Sequence, residues 1–370
     1  MTVKQSILWI HRWLGFISGL VVFVVSATGC LFVFQDDIQD ALYSYRHVVQ
    51  QNRPYVPPSQ LKKQALALYP GGKAGVRIIY YGPDRPAAIT VTTPKKESFA
   101  LYFNPYNGKL LHTENPARNF FIIVEFIHLY LLLPPVIGKQ VVGISVIIFV
   151  ILMITGIVLW WPKRKKDVKR SLTIKWGARW RRVNYDLHNV LGFYACAVAL
   201  ILALTGLSFA YDWMHTGIYQ ATNLGRGFPD DKPPAKLKTP VDSVVTQLPV
   251  DAAFAYSVSH SPQAQMFFVS NITVTAYYKS MRFYLSDRYT FNNGGGLIQF
   301  LPQDSKSPGM KMNDANYDLH TGQILGLFGK IIAFLASLIS ASLPITGLMV
   351  WVGKRNKKGK KLKAAKIAAS

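Results

Sequence analysis

Four histidines stand at matched places in this chain, and an imidazole within apolar sequence can bind a metal, hold a cofactor or move a proton. His188 opens a run, 187–211, that holds no Lys, Arg, Asp or Glu, and His11 opens a similar run near the N-terminus. His188, Leu191, Gly192, Phe193, Thr205, Gly206 and Phe209 repeat His11, Leu14, Gly15, Phe16, Thr28, Gly29 and Phe32 at one offset of 177 residues. The other two histidines are related in the same way. Asn184, Tyr185, Asp186, Leu187 and His188 recur letter for letter as Asn316, Tyr317, Asp318, Leu319 and His320. Gly138, Lys139, Ile154, Thr155, Gly156 and Trp160 match Gly329, Lys330, Ile345, Thr346, Gly347 and Trp351 at an offset of 191. His128 and His320 precede those Gly-Lys pairs by ten and nine residues, and one Thr-Gly pair falls in each of the four apolar runs.

Two neutral imidazoles facing each other across a helix bundle are what haem iron accepts as axial ligands. His11 and His188 lie in the first turns of inside-to-outside spans, whereas His128 and His320 precede outside-to-inside spans. Depth therefore pairs His11 with His188 and His128 with His320. At 1.5 Å per residue the stretch from His128 to Thr155 extends roughly 40 Å, so the two pairs belong to opposite faces of the membrane. Gly15 and Gly192 follow their histidines by four residues on the same helix face, where a missing side chain leaves room for a flat macrocycle. No Cys-x-x-Cys-His occurs, so two haems would be held noncovalently, as haem b. Zinc suits the pairs less, because a closed site wants four ligands and only Glu125, three residues before His128, offers a nearby carboxylate. The alternative is histidines that hydrogen-bond across packed helices and do no more. His215 has no counterpart in the first copy and is a spare candidate for the outer site in place of His128 or His320. His47, His112 and His260 read as surface residues.

The elements that carry these residues follow from charge and hydropathy. The net charge of +24 on 370 residues is concentrated beside apolar runs: ten Lys or Arg and one acid over 163–182, and eight Lys or Arg over 354–366. By the positive-inside rule these are cytoplasmic anchors rather than a nucleic-acid surface. The chain then reads as a span at 1–34, an outer module at 35–119, and an outer-lip helix with the second span at 120–162. A basic inner loop at 163–185, a third span at 186–212, a second outer module at 213–316, a fourth span at 317–353 and a basic tail at 354–370 complete it. The apolar cores themselves run over about 7–34, 136–161, 187–211 and 323–352, with a kink expected at Pro344. Both termini are expected in the cytoplasm. The fold class is thus an α-helical membrane protein, a four-transmembrane-helix bundle from an internal duplication, with two extracytoplasmic α+β modules.

In the first module a helix at 59–66, opened by a Ser59 cap, precedes strands at 76–81, 88–93, 99–103 and 109–111, the last after an Asn107-Gly108 turn. In the second, a Pro/Lys-rich linker at 229–240 and a segment at 241–246 precede strands at 265–268, 272–278 and 282–285, with a Gly294-Gly295-Gly296 loop. Cys30 and Cys196 fall at different depths and are expected unpaired. Thr28-Gly29-Cys30 imitates a lipoprotein cleavage site, but the apolar run continues beyond it, which predicts an uncleaved span. No phosphate-binding glycine loop and no hydrolase signature is present.

HRWLGF (11–16), LYFNPYNGKLL (101–111), ITGIVLWWP (154–162), DLHNVLGFY (186–194) and DLHTGQILGLFGKII (318–332) resemble the PepSY-associated transmembrane family of bacterial inner-membrane proteins. The resemblance covers almost the whole chain and makes the outer modules PepSY-like. It implies a di-haem ferric-siderophore reductase of the inner membrane, with haem b on His11, His188, His128 and His320. Electrons would come from a quinol or a cytoplasmic reductase and leave to a ferric siderophore in the periplasm, as a step in iron uptake. A non-enzymatic PepSY-type binding or regulatory membrane protein, or a chelate transporter component, is the other class.

Overall fold

The computed structural model describes residues 2–162, 164–227 and 248–367. The linker expected at 229–240 and the segment at 241–246 lie outside the described residues. The helices are α1 (Val3–Val33), α2 (Gln35–Leu42), α3 (Pro58–Leu68), α4 (Phe120–Tyr130), α5 (Pro135–Trp160) and α6 (Val168–Ser171). They continue with α7 (Trp180–Asp186), α8 (Gly192–Ala210), α9 (Asp212–Thr222), α10 (Pro249–His260), α11 (Pro308–His320) and α12 (Gly326–Ile367). Two compact units result. One holds residues 1–34, 124–214 and 319–370, the other 35–123 and 215–318.

The first unit contains four helical stretches long and apolar enough to cross a membrane: Val3–Val33, Pro135–Trp160, Trp180–Ala210 and Gln323–Gly353. The shortest has 26 residues, about 39 Å at 1.5 Å per residue and longer than a hydrocarbon core of roughly 30 Å. α1 starts at a capping box in which the Thr2 side chain and Gln5 satisfy each other's backbone N–H groups. The third stretch begins earlier than the sequence predicts. α7 runs into α8 through a π-helical turn, Leu187–Leu191, and Arg182 pairs with the buried Asp186 one turn on.

Around the bundle, α1 touches α5 and α12, and α8 touches the same two, so α1 and α8 face each other diagonally. Small residues let these helices approach, as they do where lipid supplies no hydrophobic drive. Ala199 and Ala203 of α8 pack with Met153 of α5, and a Cβ on Gly19 of α1 would stand 3.3 Å from Pro344 of α12. Cys30 and Cys196 are both free thiols.

The Pro134-Pro135 break becomes a tight reversal between α4 and α5, with Leu131 and Leu132 in the left-handed region at φ 54° and 59°. Gly138 is required there, since a Cβ would lie 2.2 Å from the Tyr130 carbonyl oxygen. Its match Gly329 serves the same purpose after α11, where a Cβ would lie 2.0 Å from the Gly322 carbonyl oxygen.

The second unit is built on one antiparallel eight-stranded sheet in the order β4-β3-β2-β1-β5-β6-β7-β8. The strands are β1 (Lys73–Tyr80), β2 (Ala87–Thr92), β3 (Ser98–Phe103), β4 (Leu110–Glu114), β5 (Met266–Val269), β6 (Thr273–Tyr277), β7 (Ser286–Phe291) and β8 (Leu297–Leu301). The two inserted segments give four strands each and join where β1 pairs with β5, with Tyr80 opposite Phe267. α3 and α10 pack on the sheet, and Tyr80 stacks on Phe254 of α10 at 4.4 Å in the apolar core.

Two expectations need correction here. Ser59 does not cap α3; the N-cap is Pro57, and Asp251 of α10 instead accepts hydrogen bonds from the Ser59 N–H and hydroxyl. The strand expected at 282–285 is a loop, because the Phe283 and Tyr284 N–H groups donate to the buried Asp318 carboxylate at 2.7 Å and leave the sheet ladder. α10, β7 and β8 were not foreseen.

Candidate functional site

All four matched histidines fall in the helical unit, and they meet in two pairs. The ring centres of His11 and His188 lie 6.4 Å apart, and those of His128 and His320 lie 6.1 Å apart. His11 and His188 come from the two diagonal stretches, whereas His128 and His320 end α4 and α11. The pairs are well separated. Thr28, which contacts His128, is seventeen residues along α1 from His11, a rise of about 25 Å.

Each ring is held by a threonine on a neighbouring helix. Nδ1 of His11 lies 2.8 Å from Thr155 Oγ1, and Nδ1 of His188 lies 2.9 Å from Thr346 Oγ1. Nδ1 of His128 lies 3.1 Å from Thr28 Oγ1, and Nδ1 of His320 lies 3.0 Å from Thr205 Oγ1. Those hydroxyls have already given away their hydrogens. Thr28, Thr155, Thr205 and Thr346 donate to the carbonyls of Val24, Ile151, Ile201 and Ser342, one turn back on their own helices. The hydroxyl oxygen is left as an acceptor, so Nδ1–H donates to it. His128 needs no such deduction, since its Nδ1 also lies 3.0 Å from the Val25 carbonyl, which can only accept. The proton is thereby assigned to Nδ1 in every ring, and Nε2 carries the lone pair. Among the described residues none of the four Nε2 atoms has a hydrogen-bond partner.

The glycine after each threonine makes room for the same ring. A Cβ on Gly156 or Gly29 would stand 3.5 Å from Cε1 of His11 or His128. On Gly347 or Gly206 it would stand 3.1 or 3.0 Å from Cε1 of His188 or His320. The two glycines singled out from the sequence behave differently. A Cβ on Gly15 would meet nothing within 4 Å, whereas one on Gly192 would contact Leu343 at 3.5 Å.

These pairs fit a metal held between two imidazoles. A metal–imidazole bond is about 2.0–2.1 Å, and the ring centre lies ~1.1 Å behind the nitrogen, which puts two coaxial rings about 6.3 Å apart. Among the described residues no group of three or more His, Cys, Asp or Glu stands at metal-binding spacing.

Two further polar atoms were not foreseen. Asn184 Nδ2 donates to the Thr346 carbonyl at 3.1 Å, beside the His188 contact, while its buried Oδ1 has no partner among the described residues. The buried Nε of Arg12, next to His11 in sequence, also has none among those residues. The π-helical turn that carries His188 is another feature frequent at functional positions. The recurrence of Thr-Gly, one per histidine, was the sequence signal for the holding threonines.

The remaining histidines lie in the sheet unit. His215 bonds Asn313 there, and His47 bonds the Asp40 carbonyl at 2.8 Å. His260 stacks on Tyr256 and is exposed, whereas His112 is half-buried against Tyr45 rather than fully at the surface. Among curated proteins no sequence matches this one. A family model described as the PepSY-associated TM region matches residues 8–354, nearly the whole chain, and the protein belongs to that family of membrane proteins.

Proposed function

We propose that this chain is an inner-membrane electron conduit that reduces a ferric siderophore in the periplasm. Two b-type haems would be held without covalent attachment, one by His11 and His188 and the other by His128 and His320. The observation that carries the proposal is the double histidine pair, each with ring centres near the spacing of a shared metal and each Nε2 left with a free lone pair. The partnerless Arg12 Nε suits an acidic group on a cofactor at the first site.

Haem supplies a one-electron iron couple whose potential is set by its axial ligands and surroundings. The protein's part is to hold four imidazoles neutral and oriented, and to keep them in a low-dielectric bundle. Iron release follows from chelate chemistry, because hard oxygen donors hold Fe³⁺ more strongly than Fe²⁺. The basic stretch at 164–182 orients the bundle, with both termini in the cytoplasm and the sheet unit outside. The first pair then sits near the cytoplasmic face, where a quinol or a cytoplasmic reductase would donate. Contacts recur in matched form: His11–Thr155 with His188–Thr346, His128–Thr28 with His320–Thr205, and Phe16–Trp351 with Phe193–Trp160. This supports descent from a duplicated unit of span, PepSY-like insertion and span.

The threonine contacts also suit histidines that only tie helices together, as in a non-enzymatic PepSY-type membrane protein. Purified protein decides between the two. Two haems per chain, with sharp bis-imidazole bands in the reduced-minus-oxidised spectrum, are expected. Colourless protein from cells supplied with haem would remove the conduit and leave the packing role.

A further inference from the structure

We infer that the four Thr-Gly pairs are the seats of the haem-ligating imidazoles, and that the seats differ in how firmly they hold. The inference rests on the haem reading above and adds residues to it. A ligating histidine needs its second nitrogen bonded, because that bond fixes the tautomer and the ring direction. In soluble sites a carboxylate or a carbonyl serves. Here a threonine hydroxyl serves, already satisfied as a donor by its own helix, so it presents only lone pairs to Nδ1–H. A carboxylate at the same place would have to be desolvated within the bundle; a neutral hydroxyl avoids that cost. The β-branched threonine is also stiff at χ1, so the acceptor stays where the ring needs it. The glycine next to it lets the imidazole lie against helix backbone.

The seats are not equivalent. Among the described residues Thr155 gives the only side-chain or backbone acceptor bonded to His11 Nδ1, whereas His128 Nδ1 has the Val25 carbonyl at 3.0 Å as well as Thr28 at 3.1 Å. The hydroxyl should therefore matter more at His11 than at His128. Space is uneven in the other direction. His188 and His320 would stand 3.1 and 3.0 Å from a Cβ on Gly347 and Gly206, closer than ordinary contact, while the first-half rings would stand 3.5 Å from theirs. A side chain on those glycines would therefore crowd the rings of the second half and only touch those of the first.

The test uses the full-length protein in detergent, with haem content, haem titration of the stripped protein, the midpoint potential of each haem and low-temperature electron paramagnetic resonance. Thr155→Val should weaken haem binding at the His11–His188 site by about 10–100-fold, the range for lost outer-shell bonds to metal-binding histidines. Thr155→Ser should restore it, and Thr28→Val should have the smaller effect at its own site. Gly347→Ala and Gly206→Ala should each shift the resonance and potential of one haem, and by more than Gly156→Ala and Gly29→Ala shift theirs. Wild-type binding and potentials in Thr155→Val would overturn the inference and leave the two-haem reading standing. Equal shifts from all four alanines would overturn the ranking of the seats. A wild-type protein that binds no haem would remove the underlying reading, and the inference with it.

Discussion

Replacing His11 and His188 by alanine, singly and together, tests the arrangement most directly. The two ring centres are 6.4 Å apart, within a few tenths of an ångström of the about 6.3 Å expected for two imidazoles on one metal. The other pair is out of reach, since Thr28, the residue holding His128, lies about 25 Å farther along α1. If the proposed haems are bound, His11 and His188 would share one iron, and neither would share with His128 or His320. Each single variant should fall from two haems per chain to one, losing about half of the α-band absorbance. The double variant should also keep one, because the second substitution removes a ligand from a site already emptied. That non-additivity is the signature of residues acting on one group. His11→Ala combined with His128→Ala should be colourless. Pyridine haemochromogen assays per mole of chain, with size-exclusion profiles to confirm folding, give the count. If the His11→Ala, His188→Ala double variant holds no haem while each single variant holds one, the pairing is wrong, whatever the cofactor content of the wild type.

Three further outcomes are expected. His320→Ala should abolish ferric-chelate reduction while the His11–His188 site is still reduced by its donor, read by stopped-flow spectra in proteoliposomes; reduction at the wild-type rate would refute the outward relay. Gly138→Ala places a Cβ 2.2 Å from the Tyr130 carbonyl oxygen, so the α4–α5 reversal must open, with a loss of about 1–3 kcal/mol or more in thermal stability and depletion of the haem that shares His128. In the sheet unit, burial would raise the Asp40 pKa, but hydrogen bonds and charge from Arg85 and Arg46 outweigh it and hold the carboxyl below its ordinary 3.8. A carboxyl depressed in the folded state stabilises at pH values above the ordinary one, and the contribution is lost as pH falls through the folded value. Asp40→Asn should therefore cost about 1–3 kcal/mol near neutral pH, and the variant and wild-type melting curves should converge only in acid below the depressed folded-state value.

Several parts of this protein could be read from the chain alone. The four spans were legible because a membrane helix is selected residue by residue for transfer into hydrocarbon, and that selection leaves runs which need no partner to be recognised. The histidine set was legible because the repeat places His11 beside His188 and His128 beside His320 in alignment before any contact is known. Strands β1 to β4 lay near their expected places, since alternation and the Asn107-Gly108 turn are local signals. What the chain could not show is how those elements meet. The strand expected at 282–285 gives its backbone N–H groups to Asp318, a partner 34 and 35 residues away, and local propensity carries no term for that. The joining of two insertions through β1 and β5 into one sheet is a pairing nearly two hundred residues apart in sequence. The same holds at the histidines. Sequence supplied four imidazoles and four Thr-Gly pairs, but only the packing of α1 against α4 and α5, of α8 against α11, and of the π-helical turn against α12 decided which hydroxyl meets which ring. That choice puts the proton on Nδ1 and leaves Nε2 free, because a hydrogen bond depends on atoms within about 3 Å of each other and not on their separation along the chain.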